Sequence, residues 1–165
     1  MKNKIIFISV VIIAIAISIF SYKKYRVPPT IQFKLLTLTD LEGNPTSLQN
    51  YAGKNIFITM WAPWCRDCLE EMPALQFVKE QLIEEDFVFL AISDYDIKKE
   101  KIFSEKFPYE FDYLHLTEKF SAFNIHAIPT NYIINKNGNI VYQKVGAEDN
   151  WLSYETIQKI KNLVK

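Results

Sequence analysis

The chain has 165 residues, 49% of them hydrophobic, and its 19 Lys and Arg balance 19 Asp and Glu to a formal charge of zero. The balance hides an asymmetry: Lys2, Lys4, Lys23, Lys24 and Arg26 lie in the first 26 residues without one acid, which leaves 14 cations against 19 acids, a net of −5, for the remainder. A body of that sign argues against nucleic acid as its partner, and a chain of this length without repeats or low-complexity tracts is expected to form one domain with one core.

Taken in order, Ile5 to Phe20 is apolar apart from Ser9 and Ser18, and with Ser21 and Tyr22 the uncharged stretch reaches 18 residues, enough to span a bilayer. A cleaved signal peptide would carry its small-x-small site near the end of the run, whereas Ala14-Ile15-Ala16 lies inside it, so an uncleaved anchor over residues 1–22 is expected. Cations flank both sides, so charge does not set its orientation. Residues 23–30, with Lys23, Lys24, Arg26 and Pro28-Pro29, read as a basic, stiffened tether, and the folded domain is expected over 31–165.

Phe33 to Thr39 and a short partner near Thr46 to Leu48, joined through Glu42-Gly43-Asn44-Pro45, predict a hairpin. Ile56 to Trp61 is almost wholly apolar and predicts a strand buried on both faces. Ala62, Pro63 and Trp64 break it, and Leu69, Met72, Leu75, Val78 and Leu82 then recur at helical spacing, predicting a helix from Arg66 to about Glu84 with a kink at Pro73. Phe87 to Ile92 is a second buried strand, so strand, helix and strand make a right-handed parallel crossover. Helices are expected over Asp96 to Phe107 and, briefly, Thr117 to Phe123. Thr130 to Asn135 and Ile140 to Val145 form a hairpin around Asn137-Gly138, and Trp151 to Lys165 closes the chain as an amphipathic helix.

The chemistry centres on Cys65 and Cys68, the only two cysteines. Cys65 falls at the start of the predicted helix, where unpaired N–H groups and the positive dipole end favour a thiolate, which makes it the candidate nucleophile. Cys68, three residues on, shares its face and is placed to resolve a mixed disulfide formed at Cys65. The disulfide itself carries the two electrons, so neither role needs a metal or an organic cofactor. A structural disulfide or half of a zinc site competes with this reading, but only His115 and His126 could add imidazole ligands to the two thiols of a four-ligand site. Glu71, three residues beyond Cys68, is expected on neighbouring helical surface, where burial would raise its pKa and let it exchange a proton with Cys68; Glu70 is expected in solvent. Arg66 and Asp67 between the cysteines are expected to oppose each other electrostatically. Trp61 is assigned to the core, and Trp64, beside Cys65, to an apolar contact surface for a partner. Ile128-Pro129 is either an ordinary strand entry or a cis bond that turns the backbone of Ile128 toward Cys65.

The segment WAPWCRDCLEEMPAL resembles the active-site segment of membrane-anchored, thioredoxin-like thiol-disulfide oxidoreductases, the TlpA/ResA-like family, which includes proteins of bacterial cytochrome c maturation. Ala127-Ile128-Pro129-Thr130 resembles its cis-proline loop, Asn137-Gly138 with Ile140, Val141 and Tyr142 its terminal hairpin, and Leu41, Glu42, Gly43 and Leu48 ahead of Gly53-Lys54 its extra amino-terminal hairpin. The resemblance implies an α/β, thioredoxin-like fold, a central mixed sheet flanked by helices, with that extra hairpin and one preceding transmembrane helix. It also implies a single-pass protein of the cell membrane whose domain faces the extracytoplasmic side. Its partners would be disulfide-containing exported proteins, apocytochrome c among them, and a membrane thiol electron donor. Residue by residue, it implies a cis Pro129 with Ile128 as a substrate contact, beside the Trp64 surface read from its place next to Cys65. Thr59 stands where thioredoxins carry an aspartate, so proton handling would pass to Glu71. The Arg66-Asp67 pair departs from the family, where proline is common at the second position. Two other classes share the fold: a copper-binding assembly factor, whose wider cysteine spacing is absent, and a thiol peroxidase, whose Thr or Ser three residues before the attacking cysteine is replaced by Ala62.

Overall fold

The structure, a computed structural model, describes residues 2–29, 31–107, 109–148 and 150–165. Helix α1, Lys2–Arg26, runs unbroken into the first half of the segment read as a tether, so that Lys23, Lys24 and Arg26 form its last turn, where cations suit the negative dipole end. Its 25 residues extend about 37 Å at 1.5 Å per residue, longer than the ~30 Å of a hydrocarbon core. Its apolar side chains from Ile5 to Phe20 are exposed, and the helix is long and apolar enough to cross a membrane.

The domain is one seven-stranded mixed sheet in the order β2-β1-β5-β4-β3-β6-β7. Its strands are β1 (Leu38–Thr39), β2 (Pro45–Thr46), β3 (Asn55–Met60), β4 (Phe87–Ser93), β5 (Asp112–Leu116), β6 (Thr130–Ile134) and β7 (Ile140–Val145). β3 lies at the centre, parallel to β4 and antiparallel to β6. All six of its residues are buried, as a predominantly apolar strand covered on both faces requires, with Asn55 and Thr59 its two buried polar residues. α2 (Arg66–Gln81) links β3 to β4 and α3 (Ile97–Lys106) links β4 to β5. Right-handed crossovers running in one direction along the sheet put both helices on the same face. α4 (Tyr154–Leu163) joins them there: Met72, Leu75 and Val78 of α2, Phe103 of α3 and Ile157 and Ile160 of α4 share one core cluster with Phe57 and both cysteines. The opposite face, carrying Ile56, Ile58, Met60, Leu90 and Ile92, is closed by one-turn 3-10 helices and by Ile31, Leu36, Phe120 and Ile125.

This is the expected thioredoxin-like architecture, with an N-terminal hairpin added through β1 and β2. Several elements differ from the sequence reading. The hairpin strands have two residues each, and Phe33–Leu35 is a 3-10 turn, because β1 has only Leu38 and Thr39 to pair with Leu116 and His115 of β5. β5 forms where the sequence reading assigns no element, between the helices expected over Asp96 to Phe107 and Thr117 to Phe123. The expected helix over Thr117 to Phe123 shrinks to a 3-10 turn at Phe120–Phe123, since the Thr117 N–H is drawn to the Thr37 carbonyl at 3.1 Å. α2 ends at Gln81, a turn short of Glu84, and the chain leaves it through a 3-10 turn and Asp86 in the left-handed region, φ 54°. Pro73 lies within α2, which continues on both sides of it. The β6–β7 turn forms at Asn137-Gly138, with Gly138 at φ 79° and the Asn135 carboxamide oxygen accepting from the N–H groups of Asn137 and Asn139.

Candidate active site

Cys65 is the residue that caps α2. Its backbone is extended, φ −81° and ψ 103°, and its Sγ accepts the N–H of Cys68 at 3.2 Å, taking one of the donors that a helix start leaves unpaired. The approach is pinned from β3: the Trp61 N–H donates to the Ile92 carbonyl at 3.0 Å and the Cys65 N–H to the Ala62 carbonyl at 3.0 Å. Cys65 and Cys68 form a disulfide, their Cα atoms 5.3 Å apart. Cys65 is 6% exposed and Cys68 2%, so an incoming sulfur meets Cys65 first. Trp61 is buried as expected, and Trp64 projects beside the pair, 64% exposed.

The electrostatics around the motif differ from the sequence reading in one respect. Arg66 is countered first by Glu70, with its neighbour Asp67 adding a weaker attraction. Its Nε donates to Glu70 Oε1 at 2.7 Å across one helical turn, and both side chains lie in solvent, so this cation does little for the sulfur beneath it.

Glu71 is the buried acid of the site, 5% exposed while Glu70 beside it is not buried. Its Oε1 accepts from Trp151 Nε1 and from the N–H of Glu148 at 2.9 Å, and the Asn131 carboxamide donates to both oxygens at 3.1 and 3.3 Å. Burial raises its pKa above the usual carboxylate range, while the Trp151, Glu148 and Asn131 donors and the Lys144 charge hold the rise back. None of those hydrogen bonds is to a cysteine. A cleft of about 420 Å³ lies alongside, lined by Asp67, Glu70, Ala74, Glu148 and Leu152 as well as Glu71 and Trp151. Asn131 faces Thr59 in the β3–β6 register, so this polar donor and not a titratable group occupies that level of the sheet.

Sequence reasoning missed the three donors. Asn131 was detectable as the one amide in the apolar run TNYII, whereas Trp151 and Glu148 lie 80 and 77 residues from Glu71 and no local pattern joins them.

The Ile128–Pro129 peptide is cis. The Pro129 carbonyl accepts from the Gly146 N–H at 2.8 Å and Thr130 Oγ1 donates to the Ala127 carbonyl at 2.7 Å, which ties the loop at both ends. Ile128 packs against the cluster that holds both cysteines, and among the described residues its N–H and carbonyl have no hydrogen-bond partner. The histidines lie elsewhere: His115 on β5 is bonded to Glu100, and His126 is exposed with its ring 6.1 Å from that of Tyr25. A dithiol couple capping a helix, with a buried acid three residues on and an unpaired stretch of backbone alongside, can accept and return two electrons by thiol-disulfide exchange.

The chain is similar to proteins with that activity. It is 26% identical over 172 residues to the thiol-disulfide oxidoreductase ResA of Bacillus thuringiensis subsp. konkukian, covering 96% of this chain and 98% of that one. It is 31% identical over 109 residues to ResA of Geobacillus kaustophilus, covering 62% of this chain and 61% of the relative. Among solved structures, a thioredoxin-like protein from Porphyromonas gingivalis superposes with a TM-score of 0.67 at 27% identity, over 83% of this chain and 94% of that one. A thiol:disulfide interchange protein from Chlorobium tepidum shares the fold with a TM-score of 0.61 at 23% identity, over 81% and 97%. The AhpC/TSA family profile matches residues 29–143, from the end of the N-terminal helix to the last strand of the sheet. With a disulfide pair capping α2 on a thioredoxin fold, the chain is a thiol-disulfide oxidoreductase and belongs to the AhpC/TSA family.

Proposed function

We propose that this oxidoreductase works as a reductase of disulfides in exported polypeptides, apocytochrome c being one candidate, held by α1 in the cell membrane with its domain on the extracytoplasmic side. A membrane thiol donor returns the electrons. The observation that carries the reading is the Cys65–Cys68 pair at the start of α2 with Glu71 buried behind it.

The cycle begins with the dithiol. The Cys65 thiolate attacks one sulfur of the substrate disulfide, the substrate S–S bond breaks, and one substrate thiolate leaves as the Cys65 mixed disulfide forms. Glu71, its pKa raised by burial, takes the proton of Cys68 directly or through water of the cleft. The Cys68 thiolate then attacks the Cys65 sulfur, re-forming the Cys65–Cys68 disulfide and releasing the second substrate thiol. Two electrons have passed to the substrate. Trp64 gives the partner an apolar face, and the N–H and carbonyl of Ile128 beside cis Pro129 pair with its extended backbone.

The test is capture. A Cys68→Ser variant should hold partners as mixed disulfides on Cys65, recovered by non-reducing electrophoresis and identified by mass spectrometry. Adducts absent from Cys68→Ser, or equally abundant in Cys65→Ser, would refute the assignment.

A further inference from the structure

The loop after β4 brings Tyr95 to the active-site tryptophan. The rings of Trp64 and Tyr95 meet edge to face, centroids 6.4 Å apart and planes at 72°. Both rings remain open to solvent, Trp64 at 64% and Tyr95 at 39%, so they make one aromatic step beside Cys65.

Residues 94–96 have no regular structure, and a loop holds an aromatic ring in place only if its backbone is held. Its two ends are fixed in the ordinary way. Asp94 Oδ2 accepts the Phe120 N–H at 2.8 Å, and Asp96 caps α3 through the N–H groups of Lys98 and Lys99 at 3.0 and 3.2 Å. The middle is held by something less usual. The Tyr95 N–H donates to Glu100 Oε1 at 3.1 Å and to Ser93 Oγ at 3.3 Å. Glu100 is 1% exposed, the most deeply buried acid among the described residues, although it stands in the first turn of α3 where water was within reach. Its carboxylate is also bonded to His115 Nδ1 on β5, at 3.1 and 3.3 Å.

A buried carboxylate is costly unless paired, and an apolar side chain of similar size often serves stability as well or better. What an apolar residue cannot do is accept the Tyr95 N–H. The Glu100–His115 pair therefore joins α3 and β5 to the one residue of the loop that touches Trp64.

We propose that Glu100, held by His115, is a positioning residue that sets Tyr95 against Trp64, and that the resulting aromatic step selects polypeptide disulfides for attack at Cys65. Two rings at right angles suit a flat or branched apolar side chain next to the substrate's cysteine better than a small, solvated disulfide. The inference rests on the oxidoreductase reading of the site, and its test separates the two.

Trp61 and Trp151 are 1% exposed, so iodide quenching of tryptophan fluorescence in the full chain reports on Trp64. Reduction is measured on insulin, a polypeptide disulfide, and on hydroxyethyl disulfide. Glu100→Ala should raise KM for insulin about fivefold, the size of one lost aromatic contact, with a smaller effect on kcat and on hydroxyethyl disulfide, and should increase quenching of Trp64. Glu100→Gln, whose amide oxygen still accepts the Tyr95 N–H, should restore both. Tyr95→Ala leaves the buried pair intact and should reproduce the insulin defect, which carries the test if Glu100→Ala does not fold. Wild-type KM for insulin in Tyr95→Ala, or unchanged Trp64 quenching in a folded Glu100→Ala, overturns the proposal. A wild-type chain that reduces neither disulfide removes the proposed reductase reading instead, while the quenching comparison still decides whether Glu100 positions Tyr95.

Discussion

Reduction of the Cys65–Cys68 bond should lower the stability of the domain, and the sign of the change reports the direction of the couple. The cysteines are three apart in sequence, so the bond closes a four-residue loop, whose constraint on the unfolded chain favours the disulfide form by about 2 kcal/mol. Opposing it is what the folded dithiol offers a Cys65 thiolate. The helix start, including the Cys68 N–H now 3.2 Å from Sγ, supplies about 0.3–1 kcal/mol. Arg66 adds little, exposed as it is and bonded to Glu70 at 2.7 Å. The disulfide form should therefore be the more stable by about 1–2 kcal/mol. That margin makes the folded pair harder to reduce than the same residues in an unfolded chain, at about 30 mV per 1.4 kcal/mol, as a reductase requires. Urea unfolding of the full chain in mild detergent, with and without excess dithiothreitol and followed by the buried Trp61 and Trp151, measures the difference; α1 stays in the micelle in both states and cancels. A dithiol form more stable than the disulfide form would refute the reasoning and mark the protein as an oxidant.

Glu71→Gln should slow exchange near neutral pH and flatten its pH dependence, measured as single-turnover oxidation of the dithiol. Because burial raises the Glu71 pKa above its unfolded value near 4.5, the native state keeps the proton more strongly. The stability so gained is present in acid and lost as pH rises through the raised value, so the thermal midpoint of Glu71→Gln should gain on wild type with rising pH; parallel curves would contradict this. Alkylation of the reduced chain near neutral pH should label Cys65 faster than Cys68, read by peptide mapping, and equal rates would remove the assignment of nucleophile and resolving thiol. Leu75→Ala, at a position 1% exposed beneath α2, should cost about 2–5 kcal/mol in urea unfolding, and a loss under 1 kcal/mol would mean that the cluster around the cysteines repacks.

What was legible in the sequence follows the reach of its periodicities. β3 and α2 were clear because one is apolar at every position but Asn55 and Thr59 and the other at every third or fourth, and their junction located Cys65 to the residue. β5 was not, because its two faces meet different surroundings. Leu114 and Leu116 enter the core on the side of the 3-10 turns, while Tyr113 and His115 face α3, where His115 meets a buried carboxylate. An alternation whose second set is a phenol and an imidazole reads as no alternation. Phe33 to Thr39 read as one long strand because Phe33, Leu35, Leu36 and Leu38 recur through it, yet Phe33 meets the Tyr132 ring edge to face, centroids 5.2 Å apart, and only the last two residues reach a partner strand. The pairing of Arg66 with Glu70 was within reach of the i,i+4 rule and was overlooked for the nearer Asp67. The environment of Glu71 was not, since Asn131, Glu148 and Trp151 converge on it only after β6 and the C-terminal segment have packed.

The division of the interior by the sheet has a consequence for how the protein can change over generations. Both cysteines, Glu71's indole donor and all three helices of the domain belong to one half, and the half closed by 3-10 turns contributes no sulfur, acid or amide to the chemistry. Among the described residues, Ile128 alone packs against both. Drift in the far half, at Ile125, Phe120 or Leu116, therefore reaches the side chain of Ile128, which also packs against the cluster that holds both cysteines. Under the role proposed for Ile128 in substrate binding, selection on substrate choice can act there without altering the couple itself, while the far half varies in sequence.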